Sequence, residues 1–121
     1  MIKGVHSAII WTEDMGRLLP FYRDTLGLQT QMDTPEFVVF AAEGGAQLCL
    51  GVHSDVKGQS CDPSRVMIDL TVEDCKAEYD RLRARGVEFV REPSTDEGDG
   101  IIIATLKDPD GNVLQIFQAP Q

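Results

Sequence analysis

The side chains in this sequence that could do chemistry are few and widely spaced. There are two histidines, His6 and His53, and three cysteines, Cys49, Cys61 and Cys75. Imidazoles and thiolates bind metals and carry protons. Three cysteines at such intervals, however, fit neither a disulfide framework nor a zinc knuckle, so free thiols in a reducing compartment are expected. No glycine-rich phosphate loop, Ser-His-Asp arrangement or basic aromatic patch occurs. Acids outnumber bases 20 to 11, for a formal charge of −9. That charge repels phosphate backbones and argues against a nucleic-acid partner. It favours cationic ligands weakly, in a salt-dependent way, while most of the acids serve solubility. No apolar run has the length of a membrane span, and residues 1–6 lack the layout of a signal peptide. No membrane association and a cytoplasmic location are therefore expected.

These residues must be positioned by a duplicated pattern within 121 residues, a length suited to one domain. Val5 to Asp14 and Val66 to Asp74 are similar, with Glu-Asp pairs 60 residues apart, and each is followed by a helical pattern that ends at a glycine, Gly27 or Gly86. Val66, Ile68, Leu70 and Val72 alternate with Met67, Asp69 and Thr71, the period of a half-buried strand. Met15, Leu18, Leu19, Tyr22 and Leu26 form one helical stripe, with Asp14 as its N-cap, although Pro20 must delay or bend that helix. Cys75, Tyr79 and Leu82 form a second stripe, with acids before it and Arg83 and Arg85 at its end. Three short strands follow each helix, roughly 28–32, 36–42 and 46–52, then 87–92, 101–106 and 112–118. Gly44-Gly45 and Asp108-Pro109-Asp110-Gly111-Asn112 mark the turns. The prediction is an α+β fold of two βαβββ modules, about 1–55 and 63–121, joined by the polar stretch His53 to Arg65. Pro93 to Gly100 reads as a mobile loop, whose acids Asp96, Glu97 and Asp99 are either solvated or a lid over a cationic ligand.

The string Pro20-Phe21-Tyr22-Arg23-Asp24-Thr25-Leu26-Gly27-Leu28 resembles the first helix and helix exit of the vicinal-oxygen-chelate superfamily. This superfamily includes glyoxalases, bleomycin-resistance proteins and extradiol dioxygenases. Lys107-Asp108-Pro109-Asp110-Gly111-Asn112 resembles its last hairpin turn, and the likeness runs from about Ile2 to Gln118. It implies a curled, concave mixed sheet with helices on its outer face. It also implies a homodimer, as the small members pair and open sheet edges favour pairing. Fold alone leaves activity open.

In the family's metalloenzymes, ligands stand on the first and fourth strands of each module. The resemblance places His6, Cys49, Met67 and Gln115 at those positions. A glyoxalase or dioxygenase site needs imidazoles and carboxylates. His6 alone keeps that character, so a standard site is not expected. His6, Cys49 and Met67 are also a soft set of a kind that holds copper; against that, buried Cys and Met are ordinary apolar lining. Asp69 and Thr71 share Met67's face, Ala8 and Ile10 share His6's, and Val113 and Phe117 flank Gln115. One of Phe37 and Phe40 points inward. Asp69 either pairs with a ligand cation or orients His6, or is a solvated acid at a sheet edge. Trp11 has the parity of Val5 and Ile9 and is expected to pack on a helix, unless a bulge turns it toward a ligand. His53 is expected at the cleft rim, Cys75 in the core and Cys61 exposed.

The leading expectation is thus a metal-free, bleomycin-resistance-like protein that sequesters a partly apolar small molecule, cations included. Its ligand site would consist of His6, Cys49, Met67, Asp69, Gln115 and Phe117, with no cofactor. The alternatives are a glyoxalase-like lyase or dioxygenase that holds a divalent metal or copper in a non-standard site, and an interaction module with a filled cleft.

Overall fold

The computed structural model describes residues 1–95 and 100–120. The βαβββ order occurs twice. Strand β1 (Ser7–Thr12) leads into helix α1 (Met15–Pro20), then β2 (Thr30–Asp33), β3 (Phe37–Phe40) and β4 (Gln47–Val52). The second set is β5 (Ile68–Thr71), α2 (Cys75–Ala84), β6 (Phe89–Thr95), β7 (Ile102–Lys107) and β8 (Val113–Gln118). The strands form two four-stranded mixed sheets, ordered β1-β4-β3-β2 and β5-β8-β7-β6. In each, the first strand lies parallel to the last, and the other neighbours are antiparallel. The fold is α+β, as the pattern predicts.

Two compact units result, Met1–Gly58 and Gln59–Gln121, with the boundary inside the polar stretch 53–65. Backbone partners explain where it falls. His53 N–H donates to the Thr12 carbonyl at 3.1 Å, and Gly58 N–H donates to the Glu13 carboxylate. Gln59 Nε2 instead donates to the Pro109 carbonyl at 2.9 Å, and Ser60 N–H to that of Asp110 at 2.8 Å.

In the first unit Leu18 and Tyr22 are fully buried, as are Val38, Phe40 and Leu50 of the sheet, and the Tyr22 and Phe40 ring centroids lie 6.3 Å apart. Pro20 has the expected effect. Helix α1 stops there, and the chain continues as a π-helical turn over Phe21–Thr25, with Leu26 N–H reaching the Phe21 carbonyl at 2.8 Å. A proline lacks the N–H and crowds the carbonyl one turn back, so the ladder widens. Gly27, at φ +84°, then allows Leu28 N–H to close on the Tyr22 carbonyl at 3.1 Å. Asp14 occupies the N-cap position, but its side chain makes no cap hydrogen bond. Its carboxylate lies 3.9 Å from Arg17, and its own N–H donates to Thr12 Oγ1.

Helix α2 is regular. Asp74 Oδ1 accepts from Ala77 N–H at 3.0 Å, and Gln118 Oε1 accepts from Cys75 N–H at 2.7 Å, so two of the helix's first donors are satisfied. The predicted stripe, Cys75, Tyr79 and Leu82, is buried, together with Ala104, Leu106, Leu114 and Ile116. Cys61 is exposed, as expected. Pro93 to Thr95, read from sequence as loop, extend β6. The β6–β7 register shifts twice, and Pro93 falls in the shift between Arg91 and Ser94, where no ladder N–H is required. The loop acids Asp96, Glu97 and Asp99 lie outside the described residues.

The β7–β8 hairpin is closed by one buried carboxylate. Asp108 Oδ1 accepts from the N–H groups of Asp110 and Asn112, both at 2.9 Å, and Oδ2 accepts from Asn112 Nδ2 at 2.8 Å. Gly111 sits at φ +80°, and a Cβ there would lie 2.6 Å from Gln59 Oε1. Asp108→Ala strands three donors around a buried turn. We expect a loss of about 2–4 kcal/mol in urea unfolding with unchanged slope. A loss below about 0.5 kcal/mol would show that the turn closes without it.

Candidate functional site

Helices cover one face of each sheet, so the opposite face is where a ligand can be met, and the ladders decide which residues stand there. Directly paired residues share a face. In the first unit, Ile10 pairs with Leu50 and Thr12 with Val52, while Ile9 pairs with Cys49 and Trp11 with Gly51. Leu50 and Thr12 are fully buried, which identifies the helix side. The open side carries Ser7, Ile9 and Trp11 on β1, Gln47, Cys49 and Gly51 on β4, and Phe37 and Val39 on β3.

One row crosses that face as Ile9, Cys49, Val39 and Met32. Strand spacing puts neighbours in such a row about 4.8 Å apart. Ile9 and Met32 remain 39% and 45% exposed, whereas Cys49 is 4% exposed. Burial pushes the Cys49 thiol above its usual range, and a hydrogen bond with Ser7 only partly offsets this. Next along the strands, Trp11, Gly51 and Phe37 form a second row. The Trp11 ring is 6.1 Å from Phe37 and 5.3 Å from His53, which stands almost perpendicular to it. His53 Nδ1 accepts from Asp55 N–H at 3.0 Å, so Nε2 is the ring nitrogen not engaged in that bond.

The second unit fills the equivalent rows differently. Asp69 pairs with Gln115, Gln115 with Thr105, and Thr105 with Arg91, a wholly polar row. The next is Thr71, Phe117 and Ile103. By strand order and register these rows correspond to Ile9, Cys49, Val39 and Met32, and to Trp11, Gly51 and Phe37. Four apolar or thiol side chains in one copy of the module thus answer to four polar ones in the other. Desolvation raises the Asp69 carboxyl above the usual carboxylate range.

The six predicted ligand residues separate accordingly. Cys49 stands on the open face of the first unit. Asp69, Gln115 and Phe117 share that of the second, with Val113 and Phe117 flanking Gln115 as expected. Met67 lies just before β5 and is 44% exposed. His6 lies just before β1 and is exposed. It lines an open depression of about 560 Å³ beside Gln31, Gln47 and Gly44. Ile9, three residues further on, is the β1 residue beside Cys49, and the 60-residue offset aligns Ser7, not His6, with Met67. Ala8 and Ile10 turn toward the helix side rather than sharing the open face. Trp11 was expected against a helix and instead stands on the open face, with no bulge between β1 and β4. Every β1 position from Ala8 to Trp11 is apolar, so alternation gives no sign of which parity is covered. Phe37, not Phe40, is the inward phenylalanine. Arg91 and Thr105 were missed. A legible clue to Trp11 was Gly51 inside an apolar strand, since such a glycine marks a close approach.

A catalytic divalent ion of the family's kind does not fit these donors. Cys49 is a buried thiol beside Ile9 and Val39, and Asp69 shares its row with the Gln115 amide, the Thr105 hydroxyl and the Arg91 guanidinium, none of them an imidazole or second carboxylate. Among the described residues no three His, Cys, Asp or Glu side chains gather as a metal site. No helix among them is long and apolar enough to cross a membrane.

Two four-stranded βαβββ sheets with an open face are the architecture of a known family, and residues 4–116 match the sequence profile of the Glyoxalase/Bleomycin resistance protein/Dioxygenase superfamily. The chain belongs to that superfamily. A superfamily member from Sphaerobacter thermophilus is 30% identical, with TM-score 0.73 over 97% of this chain and 98% of that one. TnmS3, an antibiotic binding protein from Streptomyces sp. CB03234, is 25% identical, with TM-score 0.76 over 98% and 97%. The lactoylglutathione lyase of Haemophilus influenzae is 26% identical over 114 residues, 87% of this chain and 84% of that protein.

The raised Asp69 carboxyl has a consequence for stability. The folded chain holds this proton more tightly than the unfolded one. The stabilising contribution is therefore complete below the unfolded carboxylate range and is lost as pH rises through the raised folded value. Asp69 is exposed, so solvent screening keeps the effect small: Asp69→Asn should melt slightly above the parent at pH 7, the gap closing toward pH 3, as read by calorimetry. A gap that widens toward acid would reverse the assignment.

Proposed function

We propose that this chain is a metal-free small-molecule-binding member of its superfamily, one that sequesters a partly apolar ligand and favours cations. The observation that carries this reading is the open face of the first unit, where Ile9, Cys49, Val39 and Met32 run beside the Trp11, Phe37 and His53 rings. An apolar and aromatic surface with a few polar groups suits a small organic molecule. The net charge of −9 supports cations among the candidates. The similarity to an antibiotic binding protein supports binding as an activity in itself, since a stoichiometric binder lowers free ligand without chemistry.

The test pairs thermal melting and calorimetry of chelator-treated protein against aromatic cations and glycopeptides. A ligand at 100 times its Kd should stabilise by about 2.7 kcal/mol with no metal added. The competing reading, a glyoxalase-like lyase or dioxygenase with a non-standard metal site, is favoured by the 26% identity to a lactoylglutathione lyase. Turnover of methylglyoxal and glutathione after loading with nickel or zinc would establish it and sink ours.

The same proposal includes a homodimer. Strands β1, β2, β5 and β6 end their sheets, and end strands offer unpaired backbone groups to a second copy. Sedimentation equilibrium should return twice the chain mass at micromolar concentration; a single-chain mass would remove the dimer from the reading.

A further inference from the structure

Trp11 and Gly51 approach closely across the β1–β4 ladder. Gly51 is not among the glycines of positive φ, so its backbone would accept any residue. What excludes a side chain is space. A Cβ at position 51 would lie 2.4 Å from Trp11 Cζ3, 2.7 Å from Cε3 and 3.0 Å from Phe37 Cδ1. The indole therefore packs against β4 at Gly51 through its Cε3–Cζ3 side, in a gap left by a missing side chain. Gly51 itself is buried, while Trp11 remains 39% exposed. Phe37, inclined at 50°, and His53, at 76°, border the ring, and neither stacks parallel on it. A strand glycine costs stability through backbone entropy and lost packing, and here it makes room for a large aromatic that stays 39% exposed.

We propose that Trp11, laid over Gly51 and bordered by Phe37 and His53, is the stacking platform for a planar aromatic cation. The inference rests on the small-molecule reading and supplies its ligand class. A flat, rigid indole face meets a flat ring at little entropic cost and prefers offset stacking. The same face attracts positive charge through its quadrupole, and the chain's charge of −9 adds to this. The Phe37 and His53 rings limit the ring plane laterally, and His53 Nε2 is the nearby polar group able to mark orientation.

Trp11 is the single tryptophan, so its emission reports on the platform directly. The intact chain is titrated with proflavine, ethidium and berberine, with binding followed by calorimetry and by Trp11 fluorescence. At least one should bind one-to-one with saturable quenching. Trp11→Leu should weaken that binding about 10-fold or more, and Trp11→Phe by a few-fold. Gly51→Ala keeps the indole but lifts it from the strand, and should weaken binding as Trp11→Leu does, with the far-ultraviolet spectrum unchanged. Equal affinity of the parent and a folded Trp11→Leu would overturn the platform and leave the small-molecule reading standing. A parent chain that binds none of the three planar cations yet binds another ligand would also overturn the platform alone. A parent that binds nothing would remove both. Loss of the dimer in Trp11→Leu with ligand affinity intact would give the indole to a second copy of the chain and overturn the proposal.

Discussion

Two parallel ladders, β1 with β4 and β5 with β8, organise each unit. A helix can cover only one face of a sheet, and the ladder decides which alternate residues go beneath it. Leu50 with Thr12 in the first unit, and Leu114 with Ile116 in the second, are buried on that side. Everything available to a ligand follows as the complement of this set. A one-residue slip in either ladder would exchange the two sets completely, so the chemistry of the open face depends on register as much as on residue type.

Duplication made two such faces, and they have diverged in kind. Ile9, Cys49, Val39 and Met32 occupy the row that Asp69, Gln115, Thr105 and Arg91 occupy in the other copy. Helix-side positions did not diverge this way: Leu18 and Tyr22, like Tyr79 and Leu82, remain large and buried. Packing constrains one side of each sheet in volume and polarity, while the other side is free to become aromatic in one unit and hydrogen-bonding in the other. A family whose members include lyases and binding proteins is consistent with variation on that side.

Much of the fold was legible because its signals are local. The DPDGN turn works through Asp108 and the left-handed Gly111, and Pro20 interrupts the first helix where a missing N–H requires it. The candidate site was less legible. Cys49 and Gln115 were placed by the family resemblance, Asp69 and Phe117 by strand parity with such positions, and each stands on an open face. Trp11, with Ala8 and Ile10, was assigned to the wrong side of β1, because Ala8, Ile9, Ile10 and Trp11 are all apolar and carry no alternation. In β5, Asp69 and Thr71 between Ile68 and Leu70 made the same question answerable.

The sequence by itself determined the βαβββ order and the turns, which depend on residues close together in the chain, and the duplication and net charge of −9, which need no structure to be read. Only the tertiary structure decided which face of β1 is covered, and with it the position of Trp11. That outcome depends on β1 meeting β4 in a register that sets Trp11 over Gly51, two residues forty positions apart, with no local signal to join them.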